Sequence, residues 1–116
     1  MPYWSRFVHV DESAARPDPD RLIELLNELG VLLAMYGESH WSKRLTYQSD
    51  RVNAFRLNAY AGVKSEFGGM GSLNDLLIMK ANGHQLEVAD ERSANDWVSS
   101  LSSKIYDELK LMDRSA

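Results

Sequence analysis

Leu76-Leu77-Ile78-Met79-Lys80-Ala81-Asn82-Gly83-His84-Gln85-Leu86-Glu87-Val88 is the stretch on which the fold class turns. Its centre, Asn82-Gly83, is a favoured pair for a two-residue type I′ turn, where both positions need positive φ. In a hairpin built around that turn, Met79 faces Leu86 and Leu77 faces Val88, so four apolar side chains share one face. Lys80 and Gln85 fall on the other. The competing reading is a two-turn helix from Leu73 to Lys80, capped by Ser72 and stopped at Gly83, which makes the chain all-α. The hairpin, over residues 76–89, is the favoured reading.

Just upstream lies Phe67-Gly68-Gly69-Met70-Gly71-Ser72-Leu73-Asn74-Asp75, a packet with three glycines. A helix ending at Phe67 wants a positive φ next, and Gly68 takes one without a Cβ penalty. Gly71 permits a second sharp turn, and Ser72 with Asp75 has the spacing of a capping arrangement. The free amides of such a turn suit anions. Against nucleotide binding, no Gly-Lys-Ser/Thr follows, the G-x-G lacks its third glycine, and Asp75 adds negative charge where phosphate would sit. Residues 68–75 therefore read as a structural joint, with Gly69, Met70, Ser72, Asn74 and Asp75 as a candidate partner-facing surface.

Further out, both flanks are helical. Asp18 is a good N-cap, Pro19 suits the first helical position, and Leu22, Leu25, Leu26, Leu29, Leu32, Leu33 and Tyr36 recur at helical spacing. Gly37 is the stop. Beyond Gly30 the polar face disappears, so the second half of this helix is expected to be buried on most sides. Asp20, Glu24 and Glu28 line one face at i, i+4 and i+8, an acidic ridge that is either simply solvated or presented to a basic partner. Ser39 is expected to cap a short helix carrying Trp41 and Leu45. Asp50 is expected to cap a third, with Val52, Phe55, Ala59, Val63 and Phe67 on one face, although the two could be one bent element. A last helix over 93–113 carries Trp97, Leu101, Ile105, Leu109 and Met112, with Lys104 and Glu108 as an exposed pair. In the N-terminal arm, residues 1–17, Arg6 to Val10 could be a strand, with Trp4 and Phe7 as anchors. The expected fold is mainly α: one domain over 1–116, with a helical half at 18–67, built as a compact bundle of about four helices with a small β-hairpin inserted before the last.

Composition narrows the function. The 116 residues are 44% hydrophobic and 26% charged, ordinary for a globular domain able to bury its own core. With no cysteine there is no disulfide framework, thiolate metal site or cysteine nucleophile. No apolar run approaches a membrane span and the N-terminus lacks a signal-peptide core, so a cytoplasmic protein is expected. His9, His40 and His84 have no ligand spacing, so no metal or other cofactor is expected. Ser72, Asp75 and His84 are close in sequence, but nothing resembles a nucleophile elbow and no catalytic residues are assigned. The net charge of −4 is segregated: residues 1–40 and 65–116 each carry a balance of −4, and residues 41–64 one of +4. That single basic stretch in an acidic chain disfavours nucleic acid.

The string Phe67 to Leu76, with Asn82-Gly83-His84, an upstream Leu-rich helix and Trp41-x-x-x-Leu45, resembles a family of small bacterial proteins sharing a G-G-M-G-S-[LF]-N-D-L signature. The resemblance covers roughly residues 20–85. It implies no established enzymatic activity or cofactor. Members of that family resemble proteins encoded beside bacterial polymorphic toxins, which implies an immunity role: binding and neutralising a cognate toxin, through a basic toxin surface met by Asp20, Glu24 and Glu28. Two alternatives stand beside it: a small enzyme or anion binder using the Gly68–Asp75 turn, and a regulatory module that self-associates, for instance as a homodimer, through its helices.

Overall fold

The computed structural model describes residues 16–68, 73 and 76–115, with side chains as far as Met112. Helix α1 spans Pro19–Met35 and begins as expected. Asp18 sits in extended backbone and its Oδ1 accepts from the Arg21 amide at 3.3 Å, with Pro19 opening the helix. Leu22, Leu26, Leu29 and Leu33 are fully buried. Its second half is not buried on most sides. Val31 is 63% and Met35 62% exposed, because α1 packs mainly on two neighbours, the helix that follows it and the last one, which leaves this face open.

Helix α2, Ser39–Phe55, is one unbroken element rather than a short helix followed by another. The polar run Thr46–Ser49 does not interrupt it, because Gln48 and Ser49 turn inward with Leu45 and Val52. Glu38, not Ser39, is the N-cap, its Oε2 accepting from the Trp41 amide at 3.4 Å. The interruption comes instead at Arg56, whose φ of 55° and ψ of −128° is a backbone conformation that favours glycine. A 3₁₀ turn at Arg56–Ala59, the short helix α3 at Tyr60–Lys64 and a 3₁₀ turn at Ser65–Phe67 follow. Val52, Ala59, Val63 and Phe67 are buried as the spacing predicts, but Phe55, at the break, is 53% exposed. Gly68 is extended (φ −112°, ψ 146°) rather than left-handed, since a 3₁₀ turn and not an α-helix ends at Phe67.

Helix α4 runs from Glu91 to Ser115. Leu101, Ile105 and Leu109 pack on the core as expected, but the buried stripe begins with Ala94 and Val98, and Trp97 is 49% exposed. Glu108 does not pair with Lys104 on the surface. It is buried, and its Oε2 accepts from the Asp18 amide at 2.6 Å and the Tyr60 hydroxyl at 2.9 Å, tying the starts of α1 and α3 to α4. The architecture is thus three long helices, α1, α2 and α4, with α3 packed on both α2 and α4.

The expected hairpin is not formed: among the described residues there is no β-strand. Asn82 belongs to a 3₁₀ turn, Lys80–Asn82, and lacks the positive φ that a type I′ turn demands. The Leu73–Lys80 helix is absent as well, since residues 76–79 carry no helix and Met79 is extended. The pairing of Leu77 with Val88 fails too, as these are 50% and 65% exposed while Ile78 is fully buried. The backbone explains why no second strand is needed. The Ile78 amide donates to Asn95 Oδ1 and the Ile78 carbonyl accepts from Asn95 Nδ2, both at 2.8 Å, so one side-chain amide from α4 acts as a surrogate strand residue. The Met79 amide donates to His84 Nδ1 at 3.0 Å and the Lys80 amide to Glu91 Oε2 at 2.9 Å. Three successive amides are satisfied by side chains, which removes the drive to pair with a neighbouring strand. The proposed strand at Arg6–Val10 lies outside the described residues.

Candidate functional site

Two helix-stop corners meet to form a linked polar arrangement. At the end of α1, Gly37 has φ +79°, its amide donates to the Ala34 carbonyl at 3.0 Å, and the Glu38 amide donates to Leu33 at 2.9 Å. At the Lys80–Asn82 turn, Gly83 has φ +90°, its amide donates to Lys80 at 2.9 Å, and the His84 amide donates to Met79 at 3.2 Å. Both are Schellman closures, each needing a residue that tolerates the left-handed region.

The two corners are fastened to each other. The Gln85 amide donates to the Tyr36 carbonyl at 2.8 Å, and the Gln85 side chain lies against Gly37 so closely that a Cβ there would stand 3.1 Å from it. His84 supplies the second fastening. Its Nδ1 lies 3.0 Å from the Met79 amide nitrogen and 3.2 Å from the Met79 carbonyl oxygen, and its Nε2 is hydrogen-bonded to Glu38 Oε1 at 2.9 Å. The two side chains are only 8% and 17% exposed, so this bond lies in a shielded environment where losing one partner is costly. Glu38 therefore caps α2 with one oxygen and holds the second corner with the other.

A groove of about 920 Å³ opens over this junction, lined by Tyr36, His84, Gln85 and Leu86 together with Ser93 and Trp97 of α4. Lys80, Glu87 and Asp90 stand at its rim. Trp97 also lines a smaller, almost wholly apolar notch of about 320 Å³, formed with Asn27, Glu28, Val31, Leu32 and Met35 of α1. Trp97 is thus a wall common to both depressions.

Of the residues expected to meet a partner, Asp20, Glu24 and Glu28 are all exposed on α1. Asp20 is engaged within the chain, its Oδ1 2.8 Å from Arg56 Nη2, and Glu28 borders the apolar notch. Gly69, Met70, Ser72, Asn74 and Asp75 lie outside the described residues. His84 belongs to the Glu38 fastening. Among the described residues, no group of three or more His, Asp or Glu is placed to hold a metal ion, and no helix is long and apolar enough to cross a membrane.

Two further polar clusters were not readable from spacing. Arg44 grips buried Glu66 through Nε at 2.8 Å and Nη2 at 2.9 Å, while Gln48 Nε2 donates to the same carboxylate at 2.8 Å. The hydrogen bond to Glu66, and then its charge, hold the Arg44 guanidinium more firmly protonated than usual. Gln48 Oε1 is buried without a donor among the described residues; turning the amide over would place that oxygen against the carboxylate. At the other cluster, burial and the hydrogen bond to Glu108 push the Tyr60 hydroxyl above its ordinary value of 10.0. On the outer face of α2, Arg51 lies over the rings of Tyr47 (5.9 Å) and Phe55 (5.2 Å), which accounts for two of the exposed aromatics.

Helix spacing could not reveal Glu38, Trp97 or His84 as site residues. A helix cap that also holds a distant histidine has no local signature, and Trp97 reads as core until α4 is rotated by one position.

The family model described as Domain of unknown function (DUF6966) matches residues 34–87, just under half of the chain. That segment holds both glycine corners, the Glu38–His84 fastening and the Arg44–Glu66 cluster; most of α1 and all of α4 lie outside it. No curated protein and no solved structure matches the chain.

Proposed function

We propose that this protein is a protein-binding module of the immunity type, docking through the α1–α4 face onto a basic cognate toxin in the cytoplasm and neutralising it. One observation supports this above the others: the acidic ridge does not end in solvent but runs into an exposed apolar notch, which Glu28 lines together with Val31, Met35 and Trp97. An aromatic anchor beside aliphatic side chains, with charge at the edge, is the composition of an interface core and rim. The carboxylates favour a basic toxin surface and speed the encounter. The sequence resemblance to proteins encoded beside polymorphic toxins points the same way.

The test is direct. The protein encoded beside this chain's gene should be a toxin that, co-expressed with it, is bound and has its toxicity suppressed. Glu24→Lys with Glu28→Lys should weaken binding by about tenfold or more and flatten its salt dependence. Val31→Asp should weaken it further. If both variants bind with unchanged affinity, the face is not the interface; if the neighbouring gene belongs to a metabolic operon and its product does not bind, the immunity reading fails.

A further inference from the structure

We infer that the groove beside Trp97 receives an arginine side chain of the bound protein, a step that rests on the docking face proposed above. Three features of the groove converge on a planar cation. First, Tyr36 and Trp97 both line the groove, offering aromatic surfaces on which a guanidinium can stack. Second, Glu87 and Asp90 at the rim are exposed carboxylates able to take the guanidinium edge. Third, the groove already holds a cation loosely: Lys80 Nζ is 4.0 Å from Glu87 Oε1, with both side chains more than half exposed. An exposed pair at that distance is weak and exchangeable, so an incoming arginine can displace Lys80.

The position fits the neighbouring notch. Trp97 bounds both depressions, so a partner that seats an apolar residue against Val31 and Met35 can place an adjacent basic side chain across the indole. The Glu38–His84 bond and the contact of Gln85 with Gly37 hold these lining residues in place. A lysine ammonium stacks less well and cannot make the forked contact, which makes arginine the preferred occupant.

The experiment uses the whole protein, labelled with ¹⁵N, and the capped peptide acetyl-Gly-Arg-Gly-amide, with its lysine and citrulline counterparts as controls. The arginine peptide should shift the Trp97 indole and the Gln85, Leu86 and Glu87 amides; lysine should shift them less and citrulline scarcely at all. Glu87→Gln with Asp90→Asn should weaken the arginine titration by about tenfold, and Lys80→Ala should strengthen it. Retained dispersion in the same spectra reports that each variant is folded. Equal shifts with citrulline, shifts scattered over the acidic surface, or no shifts in the groove would overturn the inference. Its failure is separable from that of the proposed function: Val31→Asp should weaken toxin docking and leave the arginine titration unchanged. Toxin binding that ignores the Glu87→Gln, Asp90→Asn substitution sinks the inference alone.

Discussion

Gly37 and Gly83 do the same backbone work in opposite surroundings. Each takes a left-handed φ, each closes a helical segment with a paired set of amide bonds, and each hands the chain to a residue whose side chain joins the other corner, Glu38 and His84. Gly37 is packed, with Gln85 lying across it, while a Cβ at Gly83 would meet nothing within 4 Å. The difference separates two reasons for a glycine: one position needs the conformation alone, the other needs the conformation and the space.

That contrast can be broken by substitution. The largest effect is expected from His84→Ala, which cuts the link between the corners and strands a shielded carboxylate and the Met79 amide; urea denaturation should show a loss of about 2–3 kcal/mol. Gly37→Ala comes next, at about 2 kcal/mol, combining left-handed strain with displacement of Gln85. Gly83→Ala should cost only the strain, about 1 kcal/mol. The comparison sharpens in a Gln85→Ala background, where the two glycine substitutions should converge. Asn82→Ala is smaller still, below about 0.5 kcal/mol, because it removes only an exposed 3.3 Å bond to the Leu77 carbonyl. A loss well above that would instead suit an Asn82 held at positive φ in a type I′ turn. The smallest difference lies at the Tyr60–Glu108 cluster. Since folding raises the Tyr60 pKa, the protein binds that proton more tightly than the unfolded chain does. Its contribution is therefore fully present below pH 10 and declines as the pH rises beyond it, an effect Tyr60→Phe should remove from a plot of stability against pH.

The same two corners show how much of the fold was legible in the sequence. Gly37 follows a long leucine-patterned helix, so its role as a stop could be read from what precedes it, as could the Asp18-Pro19 start and the Leu101, Ile105 and Leu109 stripe. Gly83 follows a short apolar run whose alternation looks like strand. What overrules that alternation is distant in sequence: Asn95, His84 and Glu91 satisfy the backbone of residues 78–80, and no local pattern encodes such partners. The acidic ridge was visible by its spacing, but its meaning was not, because the exposure of Val31, Met35 and Trp97 depends on which faces of α1 and α4 the core leaves open. The helix count was overestimated for a related reason: Gln48 and Ser49 look like an interruption, yet Gln48 is buried because Glu66 supplies it with a partner.

The joining of the corners is most directly tested by a double-mutant cycle on Glu38→Gln and His84→Ala, followed by urea denaturation. A coupling energy of about 1–2 kcal/mol is expected for a shielded, charge-assisted bond. Two substitutions that add within about 0.3 kcal/mol would contradict it, showing that the groove lining is not held by this pair.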